Sequence, residues 1–156
     1  MTGILEGRVA IITGAGGGLG AAHAKVFAAE GCAVVVNDIN TDAAQAVVDE
    51  IAAAGGKAVV NSSDITNYDD SLNAVKQAID SFGDLHIVLN NAGINRDRMV
   101  ASMTEAEWDA IMSVHLKGHF CISSHAVHYW RGQSKEGTPV DARIINTTSG
   151  AGLQGS

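Results

Sequence analysis

Glycines at positions 14, 16, 17, 18 and 20 and an aspartate at 38 are the residues whose types and spacing most clearly imply chemistry. Five glycines in the seven positions from Gly14 to Gly20 strip side-chain bulk from one turn, so main-chain N–H groups can approach an anion there. The turn follows the uncharged run Val9-Ala10-Ile11-Ile12 and opens a helical pattern. A strand, a glycine turn and a helix N-terminus together make an anion site, because unpaired amides and the helix dipole both favour negative charge. Asp38 closes the next apolar run, Ala33-Val34-Val35-Val36-Asn37, twenty residues after Gly18. At that offset a carboxylate meets a ribose hydroxyl of a dinucleotide whose pyrophosphate lies on the turn. The glycines fit two registers, Gly16-x-Gly18-x-x-Ala21 and Thr13-Gly14-x-x-x-Gly18-x-Gly20, and the pattern does not choose between them. A carboxylate repels a 2′-phosphate, and positions 15–19 and 39–41 hold no Lys or Arg to attract one, so NAD is expected rather than NADP.

These residues need a scaffold, and strand and helix patterns alternate along the whole chain. Strands are expected at Arg8 to Ile12, Ala33 to Asn37, Ala58 to Asn61, His86 to Asn90 and Arg143 to Thr147. Helices are expected from Gly18 to Glu30, from an Asn40 or Thr41 cap to Ala54, and from an Asn67 cap to Phe82. Gly31, Gly55-Gly56 and Gly83 supply the stops. A fourth helix starts at a Thr104/Glu107 capping box and runs to about Tyr129, and the polar stretch Arg131 to Val140 reads as a loop. This alternation predicts an α/β fold in which a doubly wound parallel sheet lies between two helical layers, the Rossmann arrangement, within one domain over 1–156.

Composition narrows the function. A net charge of −7 offers no basic footprint for nucleic acid or anionic lipid. No apolar run reaches spanning length, and the segment Met1 to Arg8 lacks the pattern of a secretory leader. Cys32 and Cys121 form no C-x-x-C pair and read as reduced core residues, which fits a cytoplasmic protein. His115 and His119 stand one helical turn apart, but there is no H-E-x-x-H and His125 and His128 point elsewhere, so no metal is expected.

Taken together, Thr13-Gly14-x-x-x-Gly18-x-Gly20, Asp38, Asp64-Ile65-Thr66, Asn90-Asn91-Ala92-Gly93 and Ser149 in Asn146-Thr147-Thr148-Ser149-Gly150-Ala151-Gly152 resemble the first part of a classical short-chain dehydrogenase/reductase. The resemblance implies hydride transfer between nicotinamide and a secondary alcohol or ketone. It implies that Gly14, Gly16, Gly17, Gly18, Leu19, Gly20, Asp38 and Ile39 hold NAD. Asp64 and Ile65 would meet the adenine, and Asn91, Ala92 and Gly93 would pass close to the nicotinamide half, with Asn90 stabilising the central sheet. Ser149 would hydrogen-bond the substrate oxygen, with Thr148 as the neighbouring candidate.

Two departures from the family pattern stand out. The family's Tyr-x-x-x-Lys is absent from these residues, since Tyr68 and Tyr129 are followed at the fourth position by Leu72 and Gln133. They read as surface aromatics at a helix start and a helix end. The 156 residues are therefore expected to be inactive alone, incomplete at the C-terminal side of the domain, and prone to self-association through a bare fifth strand. Second, His115 stands where many members carry a relay asparagine. It resembles (3R)-hydroxyacyl-CoA dehydrogenase members, as do Val35-Val36-Asn37-Asp38 and Ile94-Asn95-Arg96-Asp97-Arg98. An imidazole can hold the same water, since one ring nitrogen accepts while the other donates. The substrate implied is a small-molecule alcohol or ketone, and the assembly a homo-oligomer. The alternatives are a non-catalytic dinucleotide-binding or assembly module and a 3-oxoacyl-carrier-protein reductase, against which Asp38 argues.

Overall fold

The computed structural model describes residues 3–155; Met1, Thr2 and Ser156, on which the leader and chain-end expectations partly fall, lie outside the described residues. Five parallel strands, β1 (Val9–Thr13), β2 (Ala33–Asn37), β3 (Lys57–Asn61), β4 (Ile87–Asn90) and β5 (Arg143–Asn146), form one sheet in the order β3-β2-β1-β4-β5. The crossovers are α1 (Gly18–Ala29), α2 (Thr41–Ala53), α3 (Tyr68–Phe82) and the helical stretch α4 (Glu105–Met112) through α5 (His119–Lys135). A five-residue helix, α6 (Gly150–Gln154), follows β5.

Strand period 2 sorts the side chains onto two faces. Ala10, Ile12, Val34, Val36 and Leu89 pack with α1 and α2 through Ala24, Val47 and Ile51. Val9, Ile11, Val35 and Val88 pack on the other face with Ala74 and Val75 of α3 and Ile122 and Ala126 of α5. The sheet is thus wound on both sides, as the alternation predicts. The strand order reverses at β1/β4, which places a crevice beyond the carboxyl ends of those two strands.

Local signals set most boundaries. Asn40 and Asn67 accept hydrogen bonds from the Ala43 and Asp70 amides, and the Thr104/Glu107 box closes in both directions. Gly31, Gly55 and Gly83 end their helices at φ of 84 to 88°, where a side chain would be strained.

The last helix differs from expectation. It does not stop near Tyr129 but continues to Lys135, and only from Glu136 onward is the stretch non-helical. Tertiary anchors explain the extension: Trp130 Nε1–H donates to the Leu85 carbonyl at 2.7 Å and the Tyr129 hydroxyl to Asp84 Oδ1 at 2.9 Å. Tyr129 is consequently half-buried within the helix, not a surface aromatic at its end. Between α4 and α5 the chain also widens into a π-helical turn, Ser113–Gly118, which carries His115.

Candidate active site

The glycine turn is built by backbone contact. A Cβ on Gly20 would lie 2.2 Å from the Gly14 carbonyl oxygen and 2.6 Å from Asn91 Nδ2, and one on Gly14 (φ +62°) would lie 2.8 Å from Ala92 Cα. The ends of β1 and β4 and the start of α1 therefore meet main chain to main chain. Thr13, fully buried at the end of β1, locks this junction. Its Oγ1 accepts from the Asn91 and Ala92 amides, both at 3.0 Å, while Asn91 Nδ2 donates to the Thr13 carbonyl at 3.0 Å and the Gly14 carbonyl at 3.3 Å. The side-chain amide of Asn91 is thus spent on the turn.

Gly17 and Gly18 stand apart. Beyond its chain neighbours and helix backbone, a Cβ built on either would meet nothing within 4 Å, so that side of the turn is open. Gly17 begins α1 without a side-chain cap, and the first turn holds no acidic residue. The helix start carries no acidic side chain of its own, which suits a diphosphate. Asp38 is drawn up to this turn: Gly16 N–H donates to its Oδ2 and Asn40 N–H to its Oδ1, both at 2.9 Å. A Cβ on Gly16 would sit 2.9 Å from the Asp38 carboxyl carbon, so this position must be glycine for the carboxylate to come so close. The residues present fit a dinucleotide, with bare amides on one side and a carboxylate on the other.

Two adjoining clefts share Ala92 and Gly93. The smaller, about 240 Å³, is lined by Gly14, Asp38, Ile39, Asp64 and Ile65 among others. Asp64 Oδ1 accepts from the Thr66 amide at 2.8 Å and its hydroxyl at 2.7 Å. Ile65 is buried and packs so tightly on Gly118 that a Cβ there would lie 2.8 Å from Ile65 Cδ1. The larger cleft, about 840 Å³, brings together Leu19, Asn91, His115 and Ser149. Ser149 caps α6, its Oγ accepting the Ala151 amide at 3.2 Å, and is exposed. Thr148 lines the same cleft.

His115 is pinned against the loop that follows β4. Its Nε2 lies 2.7 Å from the Ile94 carbonyl oxygen and 3.1 Å from the Ile94 amide nitrogen, and the tautomer selects which of the two it serves. A Cβ on Gly93 would be 2.7 Å from His115 Cε1. Beneath, fully buried Asn90 donates through Nδ2 to Asn146 Oδ1 at 2.8 Å and to Ser123 Oγ at 3.0 Å, tying β4 to β5 and α5.

His119, Phe120 and Ser123 also line the larger cleft. Sequence reasoning weighed His119 only as a metal ligand, although its place four residues after His115 marks it as a cleft neighbour. Burial pushes the His119 imidazole below its ordinary value of 6.5, opposed by the Ala92 carbonyl facing the ring and assisted by His115.

Comparison with known proteins matches the short chain dehydrogenase family model to residues 8–156. This chain belongs to that family. The short-chain dehydrogenase is 47% identical over 159 residues to the hydroxyacyl-CoA dehydrogenase ChsB1 of Mycobacterium tuberculosis, an alignment covering 97% of this chain and 50% of the relative. It is 41% identical to the peroxisomal multifunctional enzyme type 2 of Mus musculus, covering 97% of this chain and 20% of that one. A crystal structure of a short chain dehydrogenase from Mycobacterium avium superposes with a TM-score of 0.96 at 56% identity, covering 99% of this chain and 58% of the other. The chain thus spans half or less of the length of these two curated relatives.

Proposed function

We propose that this short-chain dehydrogenase is the coenzyme-binding and serine-bearing part of an NAD-dependent oxidoreductase acting on a secondary alcohol or ketone of the 3-hydroxyacyl thioester class. The observation that carries the reading is the Gly16 amide bonded to Asp38, which sets a carboxylate beside bare helix-terminal amides. Main-chain N–H groups at Gly17 and Gly18 hold the diphosphate, and Asp38 takes the adenosine ribose hydroxyls while turning away a 2′-phosphate. Gly14, Leu19, Gly20 and Ile39 shape the same trough, Asp64 and Ile65 border the adenine end, and Asn91, Ala92 and Gly93 form the floor beneath the nicotinamide end. NAD supplies the hydride acceptor when bound. Ser149 holds the substrate oxygen in register, and His115 holds a water at the mouth of the cleft.

The class of substrate is supported by the identity to a hydroxyacyl-CoA dehydrogenase and by the cleft's apolar wall, to which Leu19, Leu116 and Phe120 contribute. The absent Tyr-x-x-x-Lys bears on turnover: these residues alone hold no phenol tuned to give up a proton, so activity from them alone is expected to be negligible. Among the described residues no helix is long and apolar enough to cross a membrane. A cytoplasmic homo-oligomer completes the reading, its assembly supported by apolar side chains exposed outside the cleft such as Trp108 and Val127.

Fluorescence titration with NADH and NADPH tests the coenzyme assignment. The chain should bind NADH at least about tenfold more tightly, and Asp38→Asn should erase most of that preference. Equal or tighter NADPH binding by the unaltered chain would overturn it.

A further inference from the structure

Among the described residues three buried side-chain polar atoms have no hydrogen-bond partner: His23 Nδ1, Asn90 Oδ1 and His119 Nε2. Two of them belong to one place. His119 lines the larger cleft, and the Asn90 amide is bonded to Ser123 and Asn146, which line it too. Ser123 follows His119 by four residues, so both project from the same face of α5. The Ser123 hydroxyl accepts from Asn90, which leaves its own proton free to donate.

A buried polar atom left unpaired costs stability, so such atoms persist where a visiting group pairs with them. The surroundings favour a neutral visitor. The cleft lining contains no carboxylate, lysine or arginine; its titratable groups are His115 and His119, and β5 and α6 contribute Asn146, Thr147, Thr148, Ser149 and Gly152. A neutral imidazole offers one donor and one acceptor, and a hydroxyl oxygen can answer either. We propose that His119, with Ser123 and Asn90, forms a hydrogen-bonding seat in the floor of the cleft for one hydroxyl oxygen, with His119 the residue that positions it. The inference rests on the reading of the cleft as an alcohol site. The oxygen comes either from the substrate or from a water beneath it.

Long-range imidazole ¹⁵N spectra of the labelled chain, with NAD present and 2-butanol as probe, separate the outcomes. Burial should keep the His119 midpoint below its ordinary value of 6.5, with one neutral tautomer above that. Adding 2-butanol should move its Nε2 signal to saturation if the alcohol takes the seat. A water in the seat would instead give cross-relaxation from water to the ring and no response to 2-butanol. In the alcohol case His119→Leu should weaken 2-butanol binding about tenfold while His119→Asn, which keeps a polar group, stays within about threefold. The Asn variant also guards against a Leu variant that merely misfolds. A ring half-protonated near 6.5, or one touched by neither alcohol nor water while NAD binds normally, overturns the seat and leaves the coenzyme reading intact. Failure of NAD to bind at all overturns both.

Discussion

Around the glycine turn the polar groups are tied to other elements: Thr13 to Asn91 and Ala92, and Asp38 to Gly16 as well as to the nearby Asn40 amide, with β1 and β2 buried along their whole length. Around Ser149 the bonds are local. Its hydroxyl answers an amide two residues on, all four residues of β5 are exposed, and every described residue from Arg143 to Gly155 is exposed. The glycine turn is therefore preorganised by the sheet, whereas Ser149 is placed by the ladder of β5 to β4 and by Asn146 meeting Asn90.

The sharpest way to break this contrast is to add a methyl group at each end. Gly20→Ala drives a Cβ to 2.2 Å from a backbone oxygen and should cost about 3 kcal/mol in urea unfolding. Gly152→Ala meets nothing within 4 Å and should stay within about 0.5 kcal/mol. Comparable losses at both sites would erase the distinction. A smaller effect is expected at the lock itself. Thr13→Val keeps the shape but strands two amides, so unfolding free energy should fall by about 2 kcal/mol, accompanied by faster amide exchange at Asn91 and Ala92.

The smallest effect lies far from both ends and serves as a control. Burial, then the hydrogen bond and charge of Asp84, push the Tyr129 phenol from its ordinary value of 10.0 up to about 12. A folded value above the unfolded one favours the protonated form, so its stabilisation is complete below pH 10 and is lost as pH rises toward 12. Burial also lifts the Cys32 thiol to about 12, which adds a second loss with the same sign. Thermal melts should fall across this window, and Tyr129→Phe should flatten the fall without altering coenzyme affinity. An unchanged slope in that variant would assign the alkaline loss elsewhere.

Much of this was legible in the residues because it depends on near neighbours in sequence. Uncharged runs of Val, Ile and Ala gave the strands, and Asn40, Asn67 and Thr104 announced helix starts through their own side chains. The glycine turn and Asp38 were legible as a pair through spacing alone. What escaped depends on partners far away in the chain. The extension of α5 past Tyr129 is held by Asp84 and Leu85, 45 residues earlier. The widened turn at Ser113–Gly118 leaves no compositional mark. The orphaned nitrogen of His119 becomes visible only when the Ala92 loop and the floor of the cleft close around it.

The near-collision between a Cβ at position 93 and the ring of His115 carries a lesson for anyone reshaping this crevice. Those two positions share a single allotment of space, so they form one design variable, not two. Enlarging the first obliges the imidazole to swing aside or be replaced by something slimmer. Screening them independently would discard every combination in which a compensating pair succeeds.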